Sequence, residues 1–184
     1  MIDPGADFDR LEEVLLSCDI RPDIIINTHG HYDHIGAVPD LVQKYKIPFF
    51  IDKEEEQVIT DPEINCSSFF SQNTLSLKAY HLINSDDKKY FNSFGINIIK
   101  TPGHTPGSII IKIGDKLFTG DLLFKGSIGR TDLPGGSLRD IKSSLSNLRV
   151  LDRGLEILPG HGSGSSLEYE FRTNPYLDSD FLDK

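Results

Sequence analysis

Thr28-His29-Gly30-His31-Tyr32-Asp33-His34 places three of the chain's six histidines and one carboxylate in seven consecutive positions. Side-chain packing alone gives no reason for such a density of imidazoles. Imidazole and carboxylate donors without a thiolate suit zinc, iron or manganese. Structural zinc sites are usually closed and cysteine-rich, whereas sites built from His and Asp keep a coordination position for water. The stretch therefore reads as part of a catalytic metal site, and its flanks show what carries it.

Upstream, Pro4-Gly5 marks a turn, and Phe8, Leu11, Val14 and Leu15 follow helical spacing. Asp23 to Thr28 reads as a buried strand that delivers His29 at its end. Downstream, Ala37, Val38, Leu41, Val42 and Tyr45 form a second helical stripe, and Ile47 to Ile51 a further strand. This β-α-β-α-β rhythm predicts an α/β layered architecture. Residues 53–87 are polar and carry little periodicity. Lys53-Glu54-Glu55-Glu56 reads as a solvated helix start, His81 as a surface or loop histidine, and Ser85-Asp86-Asp87-Lys88 as a polar stretch without partner motifs.

The second half repeats the strand-then-ligand pattern. Ile96 to Lys100 is a predicted strand, and His104 follows it in Thr101-Pro102-Gly103-His104-Thr105-Pro106-Gly107. Ser108 to Ile113 and Lys116 to Thr119 flank Gly114-Asp115 as a hairpin with a two-residue turn, and Asp121 comes next. Ser137-Leu138-Arg139-Asp140 reads as a helix start, with Leu138, Ile141, Leu145 and Leu148 on one face. Leu155 to Leu158 is a last strand, followed by Pro159-Gly160-His161. Strand ends followed by open turns let a scaffold aim side chains at one point. Seven candidate ligands result: His29, His31, Asp33, His34, His104, Asp121 and His161. They exceed what one tetrahedral ion can use, so two metals with a shared carboxylate are expected.

The chain has 184 residues and a formal charge of −9, with 38% hydrophobic and 26% charged residues. That fits one globular domain over residues 1–184. An acidic balance with no basic run argues against a nucleic-acid partner. No apolar run approaches the ~18 residues of a membrane span, and Met1 to Gly5 does not read as a signal peptide. Cys18 and Cys66 are far apart and in no CxxC pattern, which suits reduced thiols and a cytoplasmic location. Whether the chain forms a homo-oligomer is left open.

Ile2-Asp3-Pro4-Gly5, His29-x-His31-x-Asp33-His34, His104, Asp121 and His161 together resemble the metallo-β-lactamase superfamily, in its order and over nearly the whole chain. The resemblance implies a four-layer αββα sandwich with the site at one edge of its two sheets. Relatives of this kind carry further strands ahead of the Asp-Pro-Gly turn, so a sandwich short of its first N-terminal strands is expected. It also implies His29, His31 and His104 on one metal and Asp33, His34 and His161 on the other. Asp121 would bridge them, and Asp3 would stand behind the site. Asp33 and Asp121 would be the carboxylates of catalysis.

Gly126 to Gly136 and Glu170 to Tyr176 resemble the small bacterial glyoxalase II-like hydrolases, which act on thioesters such as S-lactoylglutathione. Arg130 falls where glyoxalase II has a substrate-binding lysine. A C-terminal helical glutathione-binding domain, present in true glyoxalase II, is not expected after Pro175. The implied reaction is attack on a small-molecule thioester by a hydroxide bridging two divalent metals, zinc first, with iron or manganese as alternatives. A thiolate with a reference pKa near 8.5 departs without a dedicated acid. An amide leaving group would need one. The rival enzyme on this scaffold is a persulfide dioxygenase with one iron on His29, His104 and Asp121. The rival non-enzyme is a metal-binding or interaction module.

Overall fold

Residues 1–183 are described by a computed structural model. They divide into two compact units, one over Met1–Ile83 and one from Asn84 onward.

The first unit is built on a parallel three-stranded sheet, β1 (Ile25–Ile26), β2 (Phe49–Asp52) and β3 (His81–Ile83), in that order. Ile2 extends it by a parallel bridge to Ile26. Helices α1 (Phe8–Ser17), α2 (Tyr32–Ile35), α3 (Val38–Tyr45), α4 (Glu56–Thr60) and α5 (Ser67–Phe70) complete the unit. Its core gathers Leu15, Ile25, Leu41, Phe49, Ile51 and Ile59. The predicted stripes of α1 and α3 hold, except that Val14 is 55% exposed while Leu15 is buried. Residues at i, i+3 and i+7 (Phe8, Leu11, Leu15) define the packed stripe, and Val14 lies just off it.

The second unit carries a five-stranded sheet of order β10 (Ser165–Ser166), β9 (Glu156–Pro159), β6 (Lys116–Gly120), β5 (Ile109–Ile113), β4 (Ile96–Lys100). A small hairpin, β7 (Leu123–Phe124) with β8 (Ser127–Ile128), follows β6. Among the described residues, the α-helices that accompany the sheet are α6 (Ser85–Ser93), α7 (Leu138–Asn147), α8 (Leu167–Thr173) and α9 (Ser179–Leu182). The core centres on Ile110, Leu117, Ile141, Leu145, Ile157 and Leu167. Ser137 caps α7 by accepting the Asp140 N–H, as its sequence predicts. Among the described residues no helix is long and apolar enough to cross a membrane.

Several expectations need correction. The strand predicted over Asp23 to Thr28 is regular only at Ile25–Ile26, because the chain leaves the ladder early to form the histidine turn. His81 is exposed as expected, but it opens strand β3 rather than lying in a loop, its ring stacked on Phe50 at 5.2 Å. Ser85–Lys88 begins helix α6, held by a capping box between Asn84 and Asp87. The Lys53–Glu56 run is not uniformly solvated, since Glu55 is wholly buried.

Candidate metal centre

The strand directions explain where the candidate ligands emerge. In the second unit β4 is antiparallel to β5, β5 antiparallel to β6, and β6 parallel to β9. Strands β4, β6 and β9 therefore run the same way and end at the same edge of the sheet. Each hands over to a candidate ligand there: His104 after β4, Asp121 after β6 and His161 after β9. Gly120 pairs with Pro159 in the ladder and accepts the Gly160 N–H, which levels the last two strand ends.

His104 Nδ1 lies 2.7 Å from the carbonyl oxygen of Arg130, so Nδ1 carries the hydrogen and Nε2 presents its lone pair. That lone pair faces Asp121 Oδ2 at 3.5 Å, and His161 Nε2 faces the same oxygen at 3.6 Å. A metal ion within reach of these nitrogens and the carboxylate would hold them at such spacings. Two donors each bound at roughly 2.0–2.2 Å to one ion sit at such separations. Gly129 makes this convergence sterically feasible. A Cβ there would collide with the Asp121 carbonyl and press on His104 Nδ1. His104 is buried, whereas the His161 side chain is 51% exposed, edge-on to Phe124.

In the first unit the histidine turn follows β1. His29, His31 and His34 are all buried. The His29 ring lies 4.9 Å from His31 and 4.0 Å from His34, centroid to centroid. Asp33 sits on α2 beside His34. Asp3, in a left-handed backbone conformation at φ 46°, organises the set. Its carboxylate accepts the Thr28 N–H at 2.7 Å and the Thr28 hydroxyl at 2.5 Å, and it lies 3.0 Å from His34 Nδ1. With its hydrogen spent on Asp3, Thr28 Oγ1 can only accept from His29 Nδ1, 3.1 Å away. One carboxylate thus fixes two tautomers, leaving Nε2 of His29 and His34 as the nitrogens that could meet a metal ion. The Asp-Pro-Gly turn is seated on α2 itself, because a Cβ on Gly5 would strike the Asp33 carbonyl.

Two further residues steady this loop and are invisible to motif reading. Glu55, just past the end of β2, accepts the Gly30 N–H at 2.7 Å. Asn27 donates from Nδ2 to the His34 carbonyl at 2.7 Å. In the second unit buried Glu170 accepts from Gly126 N–H and Asn174 Nδ2, and Asn174 Nδ2 also reaches the Phe124 and Ser127 carbonyls. The two stretches that resemble glyoxalase II-like hydrolases are therefore bonded to each other.

Each unit thus presents a set of donors suited to a divalent ion. The family profile for the metallo-beta-lactamase superfamily matches residues 1–161. The chain belongs to this superfamily. Its relatives in the superfamily include hydroxyacylglutathione hydrolase GloC of Haemophilus influenzae, 34% identical over 185 residues that cover 97% of this chain and 87% of GloC. Among solved structures, BLEG-1 B3 metallo-beta-lactamase is similar with a TM-score of 0.87 and 34% identity, over 96% of this chain and 87% of that one. TTHA1623 in a di-iron-bound form matches with a TM-score of 0.87 and 31% identity, over 96% of this chain and 88% of that one. The mixed α/β fold is that of the metallo-beta-lactamase superfamily, and membership implies a divalent-metal hydrolase.

The role of Asp3 has a direct test. An Asp3→Asn amide would point an N–H at the Thr28 hydroxyl or at His34 Nδ1, turning one of the two imidazoles around. Metal affinity, read by chelator competition, should weaken about 10–100-fold. Unchanged affinity would exclude tautomer control by Asp3.

Proposed function

We propose that the chain is a glyoxalase II-like thioester hydrolase in which both ligand sets serve one pair of divalent metal ions. The reading rests on the two His/Asp sets with fixed imidazole tautomers, taken with the likeness to GloC over nearly the whole chain. His29, His31 and His104 would hold one ion, and Asp33, His34 and His161 the other, with Asp121 shared. When bound, the pair supplies a water acidified to react at neutral pH and a Lewis acid for the thioester carbonyl. The chain's own part is to keep Nε2 of His29, His34 and His104 aimed and deprotonated, through Asp3, Thr28 and the Arg130 carbonyl. No general acid is required, because the leaving thiol ionises near pH 8.5.

Arg130 is proposed to meet a carboxylate of the thiol part of the substrate. Its guanidinium forms a bidentate pair with Asp132 at 2.7 Å, and this pair holds the Asp132 carboxyl at about 2, so both partners are charged at neutral pH. Both side chains are largely exposed. Exposed pairs contribute little to stability, so an incoming carboxylate can replace Asp132 at small cost. Arg130→Ala should raise KM for S-lactoylglutathione about tenfold, in line with a lost charge-assisted hydrogen bond, with kcat changed far less. An unaltered KM would remove Arg130 from substrate binding.

The deciding experiment is metal analysis and turnover on protein purified without chelator. Two transition-metal ions per chain and S-lactoylglutathione hydrolysis at a kcat/KM of about 10⁴ M⁻¹s⁻¹ or more are expected. One iron per chain, with oxygen consumed on glutathione persulfide and no thioester cleaved, would overturn the proposal in favour of the dioxygenase. Faster cleavage of a β-lactam than of any thioester would overturn the substrate class.

A further inference from the structure

The hairpin β7–β8 adjoins all three candidate ligands of the second unit. Asp121 lies two residues before it. Arg130, whose carbonyl lies 2.7 Å from His104 Nδ1, lies two residues after it. The Phe124 ring meets His161 edge-on, with centroids 6.2 Å apart. Yet each strand of the hairpin has only two residues. A two-stranded hairpin is marginally stable at best on its own, so this one has to be held from outside.

Helix α8 and the turn after it supply the hold. Glu170 is fully buried, and its two carboxyl oxygens serve different sides of His161. Oε2 accepts the Gly126 N–H at 2.8 Å, at the hairpin's turn, where the backbone is left-handed at φ 71°. Oε1 accepts the hydroxyl of Ser165 in β10. Strand β10 pairs with β9, and His161 lies on the loop between the two. Buried Asn174 reaches Glu170 Oε2 at 2.9 Å, the Ser127 carbonyl at 3.1 Å and the Phe124 carbonyl at 3.3 Å through Nδ2. Its Oδ1 accepts the Tyr176 N–H at 3.0 Å, which sets the orientation of the amide. A buried polar network whose members are all bonded rigidifies what it joins.

We propose that Glu170, together with Asn174, is a positioning residue for the second-unit metal site. Through the hairpin it holds Asp121 and the Arg130 carbonyl that orients His104. Through β10 and Phe124 it holds both sides of His161. This role rests on the proposed reading of those three residues as ligands. The dependence should be greatest for His161, whose side chain is half exposed where that of His104 is buried.

The test compares Glu170→Ala, Glu170→Gln and Asn174→Asp with wild type, below the melting temperature of each. Leu182→Ala, which thins the same core from α9, controls for lost stability alone. Metal affinity, read by chelator competition, should fall about 10–100-fold in Glu170→Ala, the usual cost of losing a residue that orients ligands. Glu170→Gln should stay close to wild type, because its amide oxygen can accept the Gly126 N–H while its NH₂ donates to Ser165. Asn174→Asp keeps the Tyr176 bond but loses those to Phe124 and Ser127, so it should match Glu170→Ala and replaces it if that variant does not fold. Leu182→Ala should melt lower yet bind metal as wild type does. A second readout needs no metal. In chelator at about pH 8, above the ordinary imidazole pKa of about 6.5, ¹⁵N spectra should show His104 as the Nδ1–H tautomer in wild type and as a mixture in Glu170→Ala and Asn174→Asp. Wild-type affinity with a single His104 tautomer in both of these variants would overturn the proposal. So would an equal loss of affinity in Leu182→Ala, and so would a wild type that takes up no metal. Loss of affinity in the variants of a wild type that binds metal but cleaves no thioester would support the positioning role and count against the hydrolase reading alone.

Discussion

Asp121→Ala is expected to lower thioester turnover about 10³-fold or more, the largest effect of any single substitution proposed. Its Oδ2 faces both His104 Nε2 and His161 Nε2, at 3.5 and 3.6 Å. A bound metal contributes several kcal/mol of transition-state charge stabilisation, and about 4 kcal/mol corresponds to that factor in rate. If this carboxylate is shared as proposed, its removal should also reduce bound metal from two ions to one or fewer per chain. Stability supplies a second readout. Metal stabilises the folded state by RT ln(1 + [L]/Kd), so the metal-loaded variant should melt below metal-loaded wild type. In chelator the difference should shrink, because no ion is left for the carboxylate to help hold. An Asp121→Ala protein that keeps two metals and turns over within tenfold of wild type would show that this carboxylate is not shared.

The candidate ligands stand out in the sequence because the spacing within residues 29–34 has no packing explanation, and because His29, His104, Asp121 and His161 each come shortly after an apolar run. Ile96–Lys100, Ile109–Ile113 and Lys116–Gly120 are strands where the sequence predicts them, and the Gly114-Asp115 turn forms the hairpin. The direction of β4, β6 and β9 was not legible, since β10, only Ser165–Ser166, has no alternation to announce it and sheet order is a tertiary property. Helix α6 announces itself through Asn84 and Asp87, a capping pair whose polar surroundings make it resemble a loop. Residues 61–75 carry no periodicity, because Asn65 and Ser67 side chains supply the bonds that a regular ladder would otherwise make. Side-chain-to-backbone bonding of this kind leaves no repeating signal.

Glu55 is the sharpest case of a residue hidden by its neighbours. In Lys53-Glu54-Glu55-Glu56 it looks like one of three equivalent surface charges, yet it alone is buried. The parallel pairing of β1 with β2 sets the two strand ends side by side, so the residue just past β2 meets the turn just past β1. There Glu55 accepts the Gly30 N–H at 2.7 Å, between the proposed ligands His29 and His31. Space is tight, since a Cβ on Gly30 would crowd Ile59, Val58 and Glu55. Glu55→Ala would leave that N–H buried without its acceptor, at about 1–3 kcal/mol, and would open a cavity costing roughly 1–2 kcal/mol more. A loss of about 3 kcal/mol in a chain of this size corresponds to roughly 6–12 °C in Tm. Glu55→Gln keeps an oxygen that can accept the same N–H, so it should recover most of the Tm and most of the metal affinity. Glu54→Ala and Glu56→Ala, one residue to either side, should move Tm by less than about 2 °C, within the ±0.5 kcal/mol usual for surface changes. Should all three alanine variants melt together, Glu55 would be no more than the surface charge its sequence suggests, and the histidine turn would owe its shape to Asp3, Asn27 and the Asn65 carbonyl instead.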